Sequence, residues 1–170
     1  MDSVEVIATN NYITELLKTD SDWMEIAIRL AEKAFSEKEV PVGSIVVYKN
    51  NIIGKGHNQT QRLKDPTAHA EILAITAAAA TLKDWRLKDA TIYVTKEPCA
   101  MCAGAIINAR VSRLVFGAYD EKKGCCGSLY QICGDYRLNS KTSTQGGVLE
   151  ERCEMLLKDF FSQHRKSAKN

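Results

Sequence analysis

The chain has 170 residues, 45% hydrophobic and 26% charged, a balance typical of one globular domain and not of a disordered segment. Its formal net charge is only +2, so no global field demands a nucleic-acid partner, although a local basic patch is still allowed. No signal peptide and no apolar stretch long enough to span a bilayer is evident, so we expect a cytoplasmic protein without a membrane partner. Six cysteines in such a chain favour metal binding or free thiols over disulfides.

The first predicted element is an amphipathic helix near the N-terminus. Residues 1–20 show no clear pattern, and we treat them as an N-terminal extension of unknown role. Asp22 can cap a helix, and Glu25 stands three residues further on, as in a capping box. Apolar residues then recur at helical spacing between Trp23 and Phe35, so the helix is predicted to end near Ser36.

A β-hairpin and a strongly apolar helix are predicted next. Gly43–Tyr48 is a β-branched apolar run, Asn50-Asn51 suits a turn, and a second strand starts at Ile52. Residues 68–82 are apolar on nearly every side, which predicts a helix buried between layers and not one on a surface. The lead-in Asp65-Pro66-Thr67 favours a helix start at this point.

The second half of the chain contains a strand–helix–strand unit. Residues 91–95 and 113–117 are predicted strands, and residues 98–109 form a helix between them. A crossover of this kind predicts that the two strands are parallel. Residues 148–164 form a last helix, whereas residues 118–147 are rich in Gly, Ser and Asn and carry no assignment. The pattern indicates an α/β domain with helices on both faces of the sheet.

Four side chains at the starts of two predicted helices carry the chemistry. His69, Cys99 and Cys102 offer one imidazole and two thiolates, and three protein ligands on zinc leave a fourth position for water. Pro98 places Cys99 in the first helical turn, where exposed N–H groups favour the thiolate. Glu71 is a spare carboxylate that can move the protons of such a water. The pattern therefore predicts one zinc ion per chain and a hydrolytic deaminase.

The same residues have simpler explanations, which the sequence disfavours. Cys99 and Cys102 could be half of a structural zinc site, but such a site needs four ligands, and the remaining cysteines are spaced awkwardly for that role. Glu71 could merely complement a helix dipole, but a carboxylate beside three zinc ligands is costly unless it has a partner such as bound water.

The motifs resemble those of the cytidine-deaminase-like superfamily and, within it, the bacterial tRNA-specific adenosine deaminases. The resemblance covers roughly residues 22–165. The zinc-site motifs are common to the superfamily, whereas the flanking motifs are those of the tRNA branch. The motifs are Glu39-Val40-Pro41-Val42-Gly43, His57-Asn58, Asp65-Pro66-Thr67-Ala68-His69-Ala70-Glu71, Glu97-Pro98-Cys99-Ala100-Met101-Cys102-Ala103-Gly104-Ala105, Phe116-Gly117-Ala118-Tyr119-Asp120, Gly127-Ser128-Leu129 and Asp159-Phe160-Phe161.

The resemblance implies a three-layer α/β/α fold with a central mixed sheet of about five strands. A single zinc-dependent deaminase domain would span residues 21–166, followed by a tail at residues 167–170. By the same resemblance, His69, Cys99 and Cys102 bind zinc and Glu71 is the proton shuttle.

The resemblance also implies a substrate: the wobble adenosine, position 34 of a tRNA anticodon stem-loop, which becomes inosine. Asn58 would hydrogen-bond the purine, the backbone of Ala70 would line the pocket, and Asp120 would lie near the nucleotides that flank the target. On the residues alone, the position of Asn58 favours a turn after a strand over a role in binding. The resemblance further implies a homodimer whose partner subunit helps to form the RNA groove.

Two other functions stay open on the sequence. A free-base or mononucleotide deaminase acting on cytosine, guanine or dCMP would share the zinc residues. A zinc-stabilised RNA- or protein-binding module without turnover is opposed by Glu71 and by the three-ligand set. Outside the zinc site, His57 is expected as a polar residue at the pocket edge, and the remaining cysteines as buried or free thiols, namely Cys125, Cys126, Cys133 and Cys153.

Overall fold

Five strands form one mixed sheet, which helices cover on both faces. The structure is a computed structural model that describes residues 18–138, 140 and 142–167. The proposed N-terminal extension therefore lies outside the described residues up to position 17, and the proposed tail lies outside them from position 168. The elements in chain order are α1 (Asp20–Ser36), β1 (Gly43–Tyr48), β2 (Asn51–His57), α2 (Thr60–Leu63), α3 (Ala70–Leu82), β3 (Thr91–Lys96), α4 (Ala100–Asn108), β4 (Arg113–Ala118), a 3₁₀ turn (Tyr136–Leu138), β5 (Ser143–Gln145) and α5 (Glu150–Ser167).

The strand order in the sheet is β2-β1-β3-β4-β5. β1 pairs antiparallel with both β2 and β3, whereas β3–β4 and β4–β5 are parallel pairs. This arrangement confirms the predicted hairpin and the predicted parallel strand–helix–strand unit. Because two antiparallel steps restore the original direction, β2 runs the same way as β3 and β4. The C-terminal ends of these three strands therefore lie at one edge of the sheet.

The two faces of the sheet bury separate apolar cores, and alternating residues of each central strand supply them. Val46, Ile92 and Leu114 face the core under α3 and α4. Their sequence neighbours Ile45, Tyr93 and Val115 face the opposite core, under α1 and α5, where Cys153 is buried as expected. The three layers confirm the predicted α/β/α architecture. None of the described helices is long and apolar enough to cross a membrane.

Two predicted boundaries of the first elements were wrong by a few residues. Helix α1 begins at Asp20, and its N-cap is Thr19, whose hydroxyl accepts a hydrogen bond from the Asp22 N–H at 3.2 Å. The Asp22 carboxylate in turn accepts from the Thr19 N–H at 2.7 Å, so Asp22 is the third helical residue of a capping box and not the cap. The hairpin turn lies at Lys49-Asn50, both with positive φ, one residue earlier than predicted.

The apolar helix α3 lies on one face of the sheet and not between two layers, contrary to the prediction. Its buried residues are Ala70, Glu71, Ala74 and Ala78. The small side chains let the helix approach β2 closely. The approach is so close that a Cβ at Gly56 would lie 2.2 Å from the Ala70 carbonyl oxygen. The side of the helix that does not pack on this core is only half-buried in this chain, at Ile72, Leu73 and Ala77.

The segment without a sequence assignment is a loop with short ordered pieces. A single bridge joins Cys126 to Gln131, and the 3₁₀ turn Tyr136–Leu138 follows. β5 then adds three residues to the sheet beside β4. A strand this short carries too little periodicity to be recognised from the sequence.

Candidate metal and active site

The N-termini of α3 and α4 meet at the sheet edge where β2, β3 and β4 end. His69 is the N-cap of α3 and Cys99 is the N-cap of α4, while Cys102 is the third residue of α4. The sequence had predicted that Pro98 places Cys99 inside the first helical turn. Pro98 instead precedes the N-cap, which is Cys99 itself. Each helix follows a strand that ends at this edge, which explains why residues 30 positions apart converge.

Three donor atoms form one compact cluster. The Nδ1 atom of His69 lies 3.7 Å from the Sγ atom of Cys99 and 3.5 Å from that of Cys102. All three donor atoms lie within 4.8 Å of one another. Among the described residues, these three side chains form the group that could hold a metal ion. Cys102 is fully buried, whereas His69 and Cys99 are half-buried. One side of the cluster is thus open to a ligand.

The two thiols differ in proton affinity because they share a hydrogen bond. The Cys102 thiol donates to Cys99, which lowers the pKa of Cys99 to about 3, and His69 adds to this effect. The same bond, together with burial, raises the pKa of Cys102. The hydrogen bond with Cys99 also raises the pKa of His69. Position at a helix N-terminus favours the Cys99 thiolate as well. The cluster therefore attracts a cation.

Glu71 lies beside the three donors, close enough for its carboxyl group to interact with His69, Cys99 and Cys102. It is the second residue of α3 and is 4% exposed, so its carboxyl group is removed from bulk water. Burial is the main cause that raises its pKa. A carboxyl group with a raised pKa holds a proton more readily than an exposed carboxylate does, which is a property of general acid–base residues.

Asn58 follows β2 directly and is buried at the same edge of the sheet. Its backbone N–H donates to the Val42 carbonyl at 2.9 Å, and the next residue, Gln59, donates to the Ala68 carbonyl at 3.0 Å. The first bond connects the end of β2 to the start of β1, and the second connects it to the segment that leads into α3. Asn58 is therefore held next to the helix that carries His69 and Glu71.

The two remaining predicted residues have different positions. Ala70 is the first residue of α3, fully buried, and an N–H at this position has no acceptor within its own helix. Asp120 follows β4, and its carboxylate pairs with Lys96 and accepts the N–H groups of Lys122 at 3.0 Å and Lys123 at 3.2 Å. Burial opposes ionisation of Asp120, but these bonds outweigh it and lower its pKa.

Glu97 is a site residue whose role the sequence analysis missed. It is 3% exposed, and its carboxylate accepts N–H groups of Asp120 at 3.0 Å, Cys126 at 2.9 Å and Ser128 at 2.9 Å, as well as the Ser128 hydroxyl. Burial opposes its ionisation, yet the donors lower its pKa overall. Glu97 thus fixes the loop after β4 against the short connection between β3 and α4. The signals in the sequence were its place in the motif that begins Glu97-Pro98-Cys99 and the presence of a charged residue between an apolar strand and a buried helix.

The other candidate ligands lie apart from the cluster. Cys125, Cys126 and Cys133 are buried free thiols, as expected, and the Sγ atoms of Cys126 and Cys133 lie 3.4 Å apart. His57 is buried, and its Nε2 atom lies 2.8 Å from the carboxylate of Glu37. Among the described residues, none of these side chains joins the metal-ligand group.

The class of protein that this fold and site define is a deaminase: residues 18–165 match the family of MafB19-like deaminases. A tRNA-specific adenosine deaminase from Haemophilus influenzae is 45% identical over 151 residues, which are 88% of this chain and 87% of that protein. A solved structure from a study of A-to-I editing by tRNA:A34 deaminases is similar at 38% identity with a TM-score of 0.76, covering 79% of this chain and 98% of that one. The chain belongs to the tRNA-specific adenosine deaminase family.

A structure of a guanine deaminase from Nitrosomonas europaea is similar as well, with a TM-score of 0.73 and 85% of each chain covered. Its identity to this chain is 23%, so this likeness concerns the fold alone.

Proposed function

We propose that this protein converts the wobble adenosine, position 34 of a tRNA anticodon, to inosine by hydrolytic deamination. The observation that carries the proposal is the joining of His69, Cys99 and Cys102 with a buried Glu71 at one sheet edge, in a chain of the tRNA-specific adenosine deaminase family. The target base would have to leave the anticodon loop and enter this edge, as enzymes that act on bases require.

We propose zinc as the ion of the three-donor cluster. Zinc bonds of about 2.3 Å to sulfur and about 2.05 Å to nitrogen, at a tetrahedral angle, put the two donors about 3.6 Å apart. The observed separations between sulfur and nitrogen are 3.7 Å and 3.5 Å, so both of these distances match those expected around zinc. Bound there, zinc would supply a Lewis acid that makes a water molecule nucleophilic near neutral pH.

Glu71 would be the proton shuttle in this reaction. Its carboxylate would take a proton from the attacking water, and the resulting carboxylic acid would deliver it to a ring nitrogen of the adenine. A second proton would pass by the same oxygen atoms to the departing amine, which leaves as ammonia. The raised pKa that burial gives this group supports the role of proton carrier, because a buried carboxyl group holds a proton more readily than an exposed one.

The substrate-binding roles of Asn58, Ala70 and Asp120 remain proposals. Asn58 would hydrogen-bond the base, and the N–H of Ala70 would face the pocket from the start of α3. Asp120 would act less directly, because its carboxylate is already engaged by Lys96 and by two backbone N–H groups. Its contact with flanking nucleotides would therefore depend on the conformation of the loop that it holds.

A homodimer is also proposed. The half-buried side of α3 with Ile72 and Leu73 is an apolar surface that a second copy could cover. A molar mass near twice 18.9 kDa in light scattering would support this, and a monomer mass would exclude it. We also propose that residues 21–166 form a single deaminase domain. We further propose a cytoplasmic location, where tRNA is used in translation.

The decisive experiment is incubation of zinc-loaded protein with an anticodon stem-loop that carries A34, and separately with adenine, cytosine, guanine and dCMP. We expect inosine in the stem-loop and no turnover of the free bases or of dCMP. A stem-loop with guanosine at position 34 is the matched control. Turnover of a free base or mononucleotide without turnover of the stem-loop would support the rival deaminase, and binding of RNA without any turnover would support the non-catalytic module.

A further inference from the structure

Glu39 is a buried carboxylate for which the proposed reaction has no use. It is 1% exposed, in the loop between α1 and β1, and belongs to the motif Glu39-Val40-Pro41-Val42-Gly43. A carboxylate so far from water is costly unless donors surround it. Its donors are the amide nitrogen of Asn58 at 3.0 Å, the Thr60 hydroxyl at 3.3 Å and the Arg62 N–H at 2.7 Å.

These bonds determine which way the amide of Asn58 points. A carboxylate only accepts hydrogen bonds, so the NH₂ group of Asn58 and not its oxygen must face Glu39. The second hydrogen of that NH₂ group is donated to the Thr60 hydroxyl at 3.1 Å. The amide oxygen is consequently the edge turned away from Glu39 and Thr60. A neutral partner at position 39 would leave both orientations of the amide open.

We propose that Glu39 is a positioning residue that fixes the amide of Asn58 for recognition of the target base. The inference rests on the proposed function, because it assigns to Asn58 the contact with the purine. Glu39 itself touches neither substrate nor metal in this scheme. Its effect on turnover passes through Asn58, and that dependence can be measured.

Glu39→Gln is the informative variant because of where each oxygen is used. Oε1 accepts the Arg62 N–H, and Oε2 accepts from Asn58 and Thr60. A glutamine can keep one acceptor only, and the short bond to the backbone of Arg62 retains it. The new NH₂ group then faces the NH₂ group of Asn58, and two facing donors repel unless the Asn58 amide turns over.

The test is a double-mutant cycle on kcat/KM for the A34 stem-loop, using Glu39→Gln, Asn58→Ala and the double variant. We expect Glu39→Gln to lower kcat/KM at least tenfold in the unaltered background and less than twofold when position 58 is alanine, with one zinc per chain throughout. Glu32→Gln is the matched control, an exposed glutamate on α1, and should leave kcat/KM unchanged. Equal losses from Glu39→Gln in both backgrounds would overturn the proposal.

A second cycle guards against misfolding of Glu39→Gln, since Glu39 also holds the start of α2. Thr60→Val removes one acceptor of the Asn58 amide and keeps Glu39. A loss of two- to fivefold that disappears in the Asn58→Ala background supports the proposal, and a loss that persists there contradicts it. Turnover of the stem-loop by the unaltered protein distinguishes a failure of the proposed function from a failure of the role of Glu39. Without that turnover, both hypotheses fail. With that turnover, additive effects in the double-mutant cycle exclude only the role of Glu39.

Discussion

The role we propose for Glu71, unlike that of its three neighbours in the cluster, is to carry protons and not to bind the metal. We predict that Glu71→Ala keeps about one zinc per chain and lowers kcat by roughly 10²- to 10⁴-fold, the usual contribution of a general acid–base residue. Metal analysis and single-turnover deamination of the A34 stem-loop measure the two quantities. His69→Ala is the control and should lose the metal. Loss of zinc from Glu71→Ala would instead make Glu71 a ligand.

Gly124 is required because the carboxylate of Glu97 occupies the space that a side chain would need. A Cβ at position 124 would lie 2.2 Å from Oε2 of Glu97 and 2.6 Å from the Asp120 carbonyl oxygen. We predict that Gly124→Ala lowers the free energy of unfolding by about 1–3 kcal/mol, because both contacts are held by the buried Glu97 network. Urea unfolding followed by fluorescence measures this change.

Gly127→Ala is the matched control for that prediction, in the same loop. Its nearest neighbour would be Tyr119, with Cε1 at 3.4 Å, an ordinary van der Waals distance. The free energy of unfolding should change by about 0.5 kcal/mol or less. Equal effects of the two substitutions would mean that the Glu97 network does not limit the loop.

The residues that the sequence predicts for the metal cluster are those whose chemistry and spacing identify them without the fold. His69, Cys99 and Cys102 are distinctive donors at the starts of two helices, and the structure brings them together as expected. Glu39 and Glu97 could not be identified in this way. Their partners are mainly backbone N–H groups and hydroxyls of loops, and neither spacing nor composition reveals such bonds before the fold is known.

At the scale of elements, the contact of α3 with β2 sets the position of His69 and Glu71. A Cβ at Gly56 would lie 2.2 Å from the Ala70 carbonyl oxygen and 2.7 Å from the Ala74 nitrogen. Since both atoms belong to the helix backbone, Gly56→Ala must push α3 away from the strand. We predict a loss of about 1–3 kcal/mol in the free energy of unfolding and weaker zinc binding, because His69 moves with the helix.

Gly104→Ala provides the opposite case, in the helix that carries the cysteines. A Cβ at position 104 meets no atom within 4 Å, so the substitution adds helix propensity without a clash. We expect a gain of about 0.5–1 kcal/mol and unchanged zinc affinity. Chelator competition and urea unfolding on both variants make the comparison. A destabilised Gly104→Ala, or an unaffected Gly56→Ala, would contradict this account of the packing.

Helices and strands were predictable where hydrophobic periodicity or a helix-breaking residue marks them. They were less predictable where a side-chain hydrogen bond determines the boundary. The central strands and the helices after Thr67 and Pro98 follow from hydrophobic patterning. The start of α1 does not follow from patterning, because both Thr19 and Asp22 are residues that can cap a helix. Only the pair of hydrogen bonds between them shows which one is the N-cap. The loop after β4 has no period, since Glu97 and not an apolar stripe holds it.

At the scale of the whole molecule, the layer of α1 and α5 is joined to the sheet by a network that the sequence did not predict. Asp20, in the first turn of α1, accepts two hydrogen bonds of 2.7 Å from the Arg113 guanidinium on β4. The hydroxyl of Tyr93, on β3, donates to the same carboxylate at 2.9 Å. Three elements distant in sequence meet here, and their pairing depends on the sheet order.

This network predicts a pH-dependent stability. The hydrogen bond from Arg113 is the main cause that holds the pKa of Asp20 below its usual value of 3.8, with a further contribution from Tyr93. A carboxyl group with a lower pKa in the folded state stabilises that state above pH 3.8, and the contribution is lost as the pH falls through the folded pKa. Asp20→Asn should therefore cost about 1 kcal/mol at neutral pH, since the pair is partly exposed.

Urea unfolding between pH 3 and pH 7, about one unit below and three above the usual pKa of an aspartate, measures this contribution as the difference between Asp20→Asn and the unaltered protein. Acid also removes zinc by protonating its ligands, but that effect is common to both proteins and cancels in the difference. The difference should be constant near neutral pH and shrink in the acid range. Asp89→Asn, in the loop before β3, is the control. A difference that grows on acidification would mean that Asp20 is not the group whose ionisation joins α1 to the sheet.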